Sequence, residues 1–94
     1  MNSETGLRLD VWLWRARLFR TRALSTDHVK RKGVRLSRSG QTRRTDKPAT
    51  VVSVGDIVTF GRGPHIQTLQ ILALGDRRGP AEEAQALYKL LENE

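Results

Sequence analysis

Residues 8–24, RLDVWLWRARLFRTRAL, hold five arginines and both tryptophans of the chain. A guanidinium is planar, always charged and forked, so arginines gathered on one surface suit phosphate oxygens and the faces of bases. Arg8, Arg15, Arg17, Arg20 and Arg22 are followed by Lys30, Arg35, Arg38, Arg43, Arg44 and Lys47. A continuous strip of such residues fits a sugar-phosphate track. Asp10, Thr21, Thr26 and Ser37 fall among them and complete the candidate binding set.

No second constellation offers catalysis. His28 and His65 are the only histidines and cysteine is absent, so no metal-ligand spacing exists and no metal or other cofactor is expected. His28 falls on the inner arc of a helix and reads as a packed histidine; His65 reads as a loop residue. No serine sits in a GxSxG setting, and GRGP at 61–64 lacks the Gly-Lys-Ser/Thr of a phosphate-cradling loop. Glu82 and Glu83 are adjacent, and on a helix they point apart. The expectation is a binding protein, with no enzymatic activity.

The distribution of charge agrees. The 94-residue chain carries a formal net charge of +7. Residues 8–47 hold thirteen basic and three acidic residues, a net of +10, whereas residues 48–94 hold four basic and six acidic, a net of −2. One half this self-repelling expects a polyanionic partner. The length allows one small domain; without cysteine, a signal-peptide layout or a long apolar run, the chain reads as cytoplasmic, off the membrane and by default monomeric.

The elements that must hold these residues follow from periodicity. Residues 1–6 read as a disordered leader. Leu9, Trp12, Leu13, Ala16 and Phe19 share a narrow arc at helical spacing, with Asp10 as N-cap or first-turn acid, two turns from Arg17. Trp12 is expected in the core. Trp14, on the opposite arc with Val11 and Leu18, is expected under the last helix near Leu87 and Tyr88, the alternative being an exposed stacking platform. Thr21 caps a second helix from about Arg22 to Lys32, which Gly33 ends. Its inner arc holds Leu24, Ser25, His28 and Val29; Arg22, Thr26 and Lys30 form one outer row. Short strands follow near 34–37, 50–54, 57–60 and 66–74, with turns at Ser39-Gly40, Gly55-Asp56 and GRGPH. Pro80, Glu82 and Glu83 open a final helix of about three turns, its apolar face being Ala84, Leu87, Tyr88 and Leu91. The fold class is α+β: two N-terminal helices on a small, mostly antiparallel sheet, with a C-terminal helix.

Several of these residues together resemble the RNA-binding domain first seen in small-subunit ribosomal protein four, with its alpha-L motif. They are Arg8, Leu9, Asp10, Arg17, Thr21, Arg22, Val34, Lys47 and Pro48, and the resemblance spans residues 7–60, with 61–94 adding the final strand and helix to the same core. Two further stretches, WLWRARLFRTRA and RRGPAEEAQALY, resemble the bacterial heat-shock protein 15 family. That resemblance implies structured RNA as partner: ribosomal RNA of the free large subunit that still carries peptidyl-tRNA after aborted translation, and the stranded tRNA itself. The sequence departs from the pattern at Lys32-Gly33 and at Ser37-Arg38, with Ser39-Gly40 resembling a two-residue insertion. Family members often run on into a basic tail; here the sequence reads ENE, and no tail contact is expected. Two other readings compete: an RNA-binding accessory of a separate enzyme, and a DNA-binding protein, against which stands the lack of a helix-turn-helix reading helix.

Overall fold

The computed structural model describes residues 6–93, so the expected leader lies outside the described residues except for Gly6. Helix α1, Leu9–Arg15, starts directly from the two-residue strand β1, Leu7–Arg8. Its first N–H groups are met by a distant loop: Leu9 donates to the Thr50 carbonyl at 2.7 Å and Asp10 to that of Pro48 at 3.2 Å. No side-chain cap is needed at such an end. Arg8 holds the cap position and Asp10 stands in the first turn, so the capping role open to Asp10 is not taken.

α1 stops after two turns, where Arg17 adopts a left-handed φ of 59°. Phe19 is therefore off the helical stripe. It lies half-buried in the corner against the rings of His28 and Phe60, at centroid distances of 4.9 and 5.8 Å. Helix α2, Arg22–Lys32, has the expected bounds: the Thr21 hydroxyl accepts from the Leu24 N–H at 3.0 Å, and Gly33 exits at φ 78°. The inner arc is narrower than expected. Ser25 and Val29 are buried, but Leu24 is 53 % exposed. The small Ser25 lets α2 close on α1, and its hydroxyl donates to the Asp10 carbonyl at 2.9 Å.

Five strands form one antiparallel sheet in the order β3–β2–β5–β6–β7: Gln41–Thr45, Val34–Arg38, Ile57–Arg62, His65–Ile71 and Tyr88–Asn93. Strand β4, Val51–Val52, pairs with β1 instead. Alternation sends Val34, Leu36, Val58, Phe60, Leu69 and Ile71 to one face, where they meet Leu9, Trp12, Leu13 and Val29 of the helices. Each such apolar side chain contributes about 1.5–3 kcal/mol on burial. Ser39 and Gly40, at φ 54° and 81°, make the two-residue turn that joins β2 to β3. Strand β3 lies beyond the expected strands, because QTRRT has no apolar alternation; it is an edge strand, where charge suits.

The C-terminal helix, α3, is shorter than its sequence suggests. It spans Ala81–Gln85, and Tyr88–Asn93 then extends along β6. Ala84, Leu87, Tyr88 and Leu91 do have helical spacing, but the open edge of β6 supplies ladder partners that a longer helix would leave unmet. Trp12 is buried as expected, its Nε1 donating to the Ala73 carbonyl at 2.9 Å and its ring edge-on to Tyr88. Trp14 is half-buried, with the Arg78 guanidinium 5.8 Å from its ring centre. The loop before α3 covers it, in place of the helix expected there.

Candidate nucleic-acid interface

The basic surface is organised around one buried acid. Asp10 is 1 % exposed, and Arg8 donates to it from Nε and Nη2 at 3.0 and 2.9 Å. The Thr26 hydroxyl adds a third bond at 2.8 Å. Through its backbone the same residue holds Ser25 of α2 and Pro48 of the loop after β3. Burial alone would raise the Asp10 carboxyl; the bonds from Arg8 and Thr26, with the charges of Arg8 and Arg22, outweigh it and hold the group below its ordinary value. Asp10 thus stays ionised and fixes four segments of chain. Arg17, its other expected partner, bonds elsewhere.

Beside this hub runs the row Arg22, Thr26 and Lys30, one residue per turn of α2, with Arg22 and Lys30 exposed. The Asp10–Pro48 bond brings Lys47 to the same neighbourhood. The ion pairs among the described residues engage Arg8, Arg31, Arg38 and Arg77. Arg20, Arg22, Lys30, Arg35, Arg43 and Lys47 enter none of them, and of these Arg22 acts on a carboxylate, that of Asp10, only through its charge.

The remaining candidates stand apart from that group. Arg15 donates from Nη1 to the Gly75 carbonyl and Arg17 from Nε to that of Gly79, both at 2.6 Å. In return Arg78 donates from Nε to the Trp14 carbonyl at 3.2 Å. One donor of each is spent on the backbone, and together these bonds latch the end of α1 to the 75–79 loop. Arg38 closes on Asp56 through Nε and Nη2 at 2.9 and 2.7 Å, while the Ser53 N–H donates to the same carboxylate at 2.9 Å. Burial would raise the Asp56 carboxyl, but Arg38 and the Ser53 N–H together hold it low. Arg35 and Arg44 face each other on β2 and β3, on the sheet face that the helices leave free, where Ser37 and Thr42 also pair through their hydroxyls at 2.6 Å.

Sequence reasoning missed Asp56, taken only as half of a Gly-Asp turn, and Arg78, whose partner is 64 residues away. An acid three residues after Ser53 and just before an apolar strand was the available signal for Asp56. His28 is half-buried, as expected of a packed histidine, between Phe19 and Phe60. Its Nε2 is buried without a hydrogen-bond partner among the described residues. Burial first, and then the charge of Lys32, lower its pKa, with Asp27 opposing. No group of three or more His, Cys, Asp or Glu that could hold a metal ion occurs among the described residues. No helix among them is long and apolar enough to cross a membrane.

A helix pair pinned by the buried Asp10, laid on one face of a small antiparallel sheet and bearing cations outside its ion pairs, defines an α+β domain of the ribosomal protein four-like, alpha-L class. No protein-family model matches the chain. Heat shock protein 15 of Escherichia coli (strain K12) is 35% identical over 83 residues, 88% of this chain and 59% of that protein. The Haemophilus influenzae homolog is 32% identical over 91 residues, 97% of this chain and 66% of that one. The trimeric heat shock protein 15 of Vibrio cholerae superimposes with a TM-score of 0.72 at 35% identity, over 92% of this chain and 82% of that chain. The chain belongs to the heat-shock protein 15 family. It spans 59% to 66% of the length of these curated relatives.

Proposed function

We propose that this protein binds structured RNA without catalysing a reaction, and that its target is ribosomal RNA of the free large subunit carrying peptidyl-tRNA after aborted translation. One observation carries the reading. Arg22 and Lys30 stand exposed in one row beside Thr26, outside every ion pair found among the described residues, on a helix fixed by the Asp10 hub. Exposed cations on a rigid element, free of any ion pair, are what a phosphate track requires. The family resemblance supplies the ribosomal part of the reading, and the binding unit is read as a cytoplasmic single chain.

Filter binding to a structured RNA across a salt series tests the first part. The expected logarithmic slope is about −0.7 to −0.9 per neutralised phosphate, and a flat response overturns RNA binding. Sedimentation of cell extract tests the second: the protein should run with free large subunits, and running with neither subunits nor ribosomes overturns the ribosomal target. Light scattering that returned a trimer would overturn the single-chain unit and align this protein with its Vibrio cholerae relative.

A further inference from the structure

The sheet face turned away from α1 and α2 carries a second cationic site. Arg35 and Arg44 occupy directly opposed positions on β2 and β3. Like charges in such positions destabilise a sheet unless an anion lies between them. The groove beside them measures about 410 Å³, is lined in part by Lys32, Gly33, Gly61 and Ile66, and has no carboxylate in its lining. That volume falls within the range of small-ligand sites, about 300–1,000 Å³.

Arg44 is seated there by the backbone. Its Nη2 donates to the Lys32 carbonyl at 3.1 Å, and its guanidinium lies so close over Gly33 that a Cβ on that residue would fall 2.6 Å from Cζ. The glycine that ends α2 at φ 78° thereby also makes room for the arginine. At the other end of the groove the floor is open and apolar. A Cβ on Gly61 would meet only the His65 carbonyl, at 3.9 Å, and Ile66, paired with Gly61 across the strands, is 52 % exposed. A doubly cationic end beside a flat apolar end matches the two halves of a nucleotide.

We infer that this groove takes one nucleotide of a single-stranded RNA segment, its phosphate between Arg35 and Arg44 and its base over Gly61 and Ile66. The inference rests on the RNA binding proposed above and extends it to the sheet face that α1 and α2 leave free. The segment is single-stranded because a base inside a duplex cannot turn its face to a protein surface.

The test pairs amide NMR titrations with RNA binding by the full chain. Adenosine monophosphate should move the signals of Gly33, Gly61 and Ile66, whereas inorganic phosphate should move Gly33 and leave the other two. A hairpin RNA with a single-stranded extension should bind more tightly than the blunt hairpin. That gain should vanish in the Arg35→Gln, Arg44→Gln double variant, with a salt slope shallower by about 0.7. Gly61→Glu should abolish it too, because it places a carboxylate where there is space and removes no packing contact. Persistence of the gain in both variants, or equal responses to the nucleotide and to phosphate at Gly61 and Ile66, overturns the groove. Blunt-hairpin binding insensitive to Arg22→Ala and Lys30→Ala overturns the helix row while the nucleotide shifts stand, which separates failure of one site from failure of the other.

Discussion

Arg8 grips both carboxylate oxygens of Asp10, two residues along the chain, and the pair joins a half-exposed cation to an acid that is 1 % exposed. The arginine that reads as a phosphate ligand is thus first a counter-ion. Its outer edge still faces solvent, so it can add to a phosphate track only from a fixed position. Fixing that position is the service Asp10 gives to the surface, since it also holds Thr26 in the Arg22–Lys30 row.

Replacing Asp10 with Asn should therefore act on stability. It removes a buried acceptor of charge-assisted bonds and should lower the unfolding free energy by about 1.5–3 kcal/mol, read from urea denaturation at neutral pH. The pH dependence has a defined sign. A carboxyl held below its ordinary 3.8 contributes stability that is complete above about pH 4 and is lost as pH falls through the folded value. Asp56, held low by Arg38, contributes to the same acid limb. Loss of stability below pH 4 should be shallower in Asp10→Asn and shallowest with Asp56→Asn added. An unchanged acid limb in the double variant would remove both bridges from the account.

The cations should divide into two sets. Arg22→Ala and Lys30→Ala should leave stability within about 0.5 kcal/mol, since neither side chain pairs, while each makes the RNA salt slope shallower by about 1. Arg17→Ala loses the bond to the Gly79 carbonyl and keeps an unfavourable positive φ. It should cost about 0.5–1.5 kcal/mol of stability and leave the slope unchanged. Parallel filter-binding and denaturation series on the three variants check the division, and an Arg17 variant that loses RNA at full stability contradicts it.

The legible parts of the fold were those decided by nearby atoms. Thr21 and Gly33 gave both ends of α2 because a cap hydroxyl and a left-handed exit act within one turn. The end of α1 was hidden because the residues beside it bond to a distant segment, Arg15 to Gly75 and Arg17 to Gly79, 60 and 62 residues away. Tyr88 and Leu91 kept a helical period while the free edge of β6 drew them into a strand, a choice no local pattern records. The candidate site shows the same division. Which residues are cationic was plain from the chain; which of them spend their donors on protein carbonyls was not, because backbone acceptors leave no mark in a sequence.

His28 gives the protein a second, milder pH response. Its ring packs between Phe19 and Phe60 with Nε2 unbonded among the described residues, and burial and Lys32 lower its pKa below the ordinary 6.5. The unfolded chain then takes up the proton before the folded one does. Stability from this group is complete above pH 6.5 and falls as pH drops from there toward the folded value. His28→Phe keeps an apolar ring and removes the proton, so its melting temperature should fall less between pH 7.5 and 5.5 than that of the unaltered protein. Equal pH responses would show that His28 does not titrate in this range.

Trp14 separates packing from nucleic-acid stacking in a single measurement. Arg78 lies 5.8 Å from its ring centre and donates to its carbonyl, whereas Trp12 is sealed in the core with its Nε1 bonded to Ala73. The emission of the protein should therefore combine a buried and a half-covered component. Arg78→Ala should shift only the second to the red, and the lost cation–π contact should cost about 0.5–1 kcal/mol. If Trp14 serves the fold through the 75–79 loop, RNA should leave its emission unchanged in the unaltered protein and in the variant alike. Quenching by RNA that appears only in Arg78→Ala would mean the loop hides a stacking platform. Quenching already present in the unaltered protein would mean that Arg78 leaves the ring open, against the contact seen here.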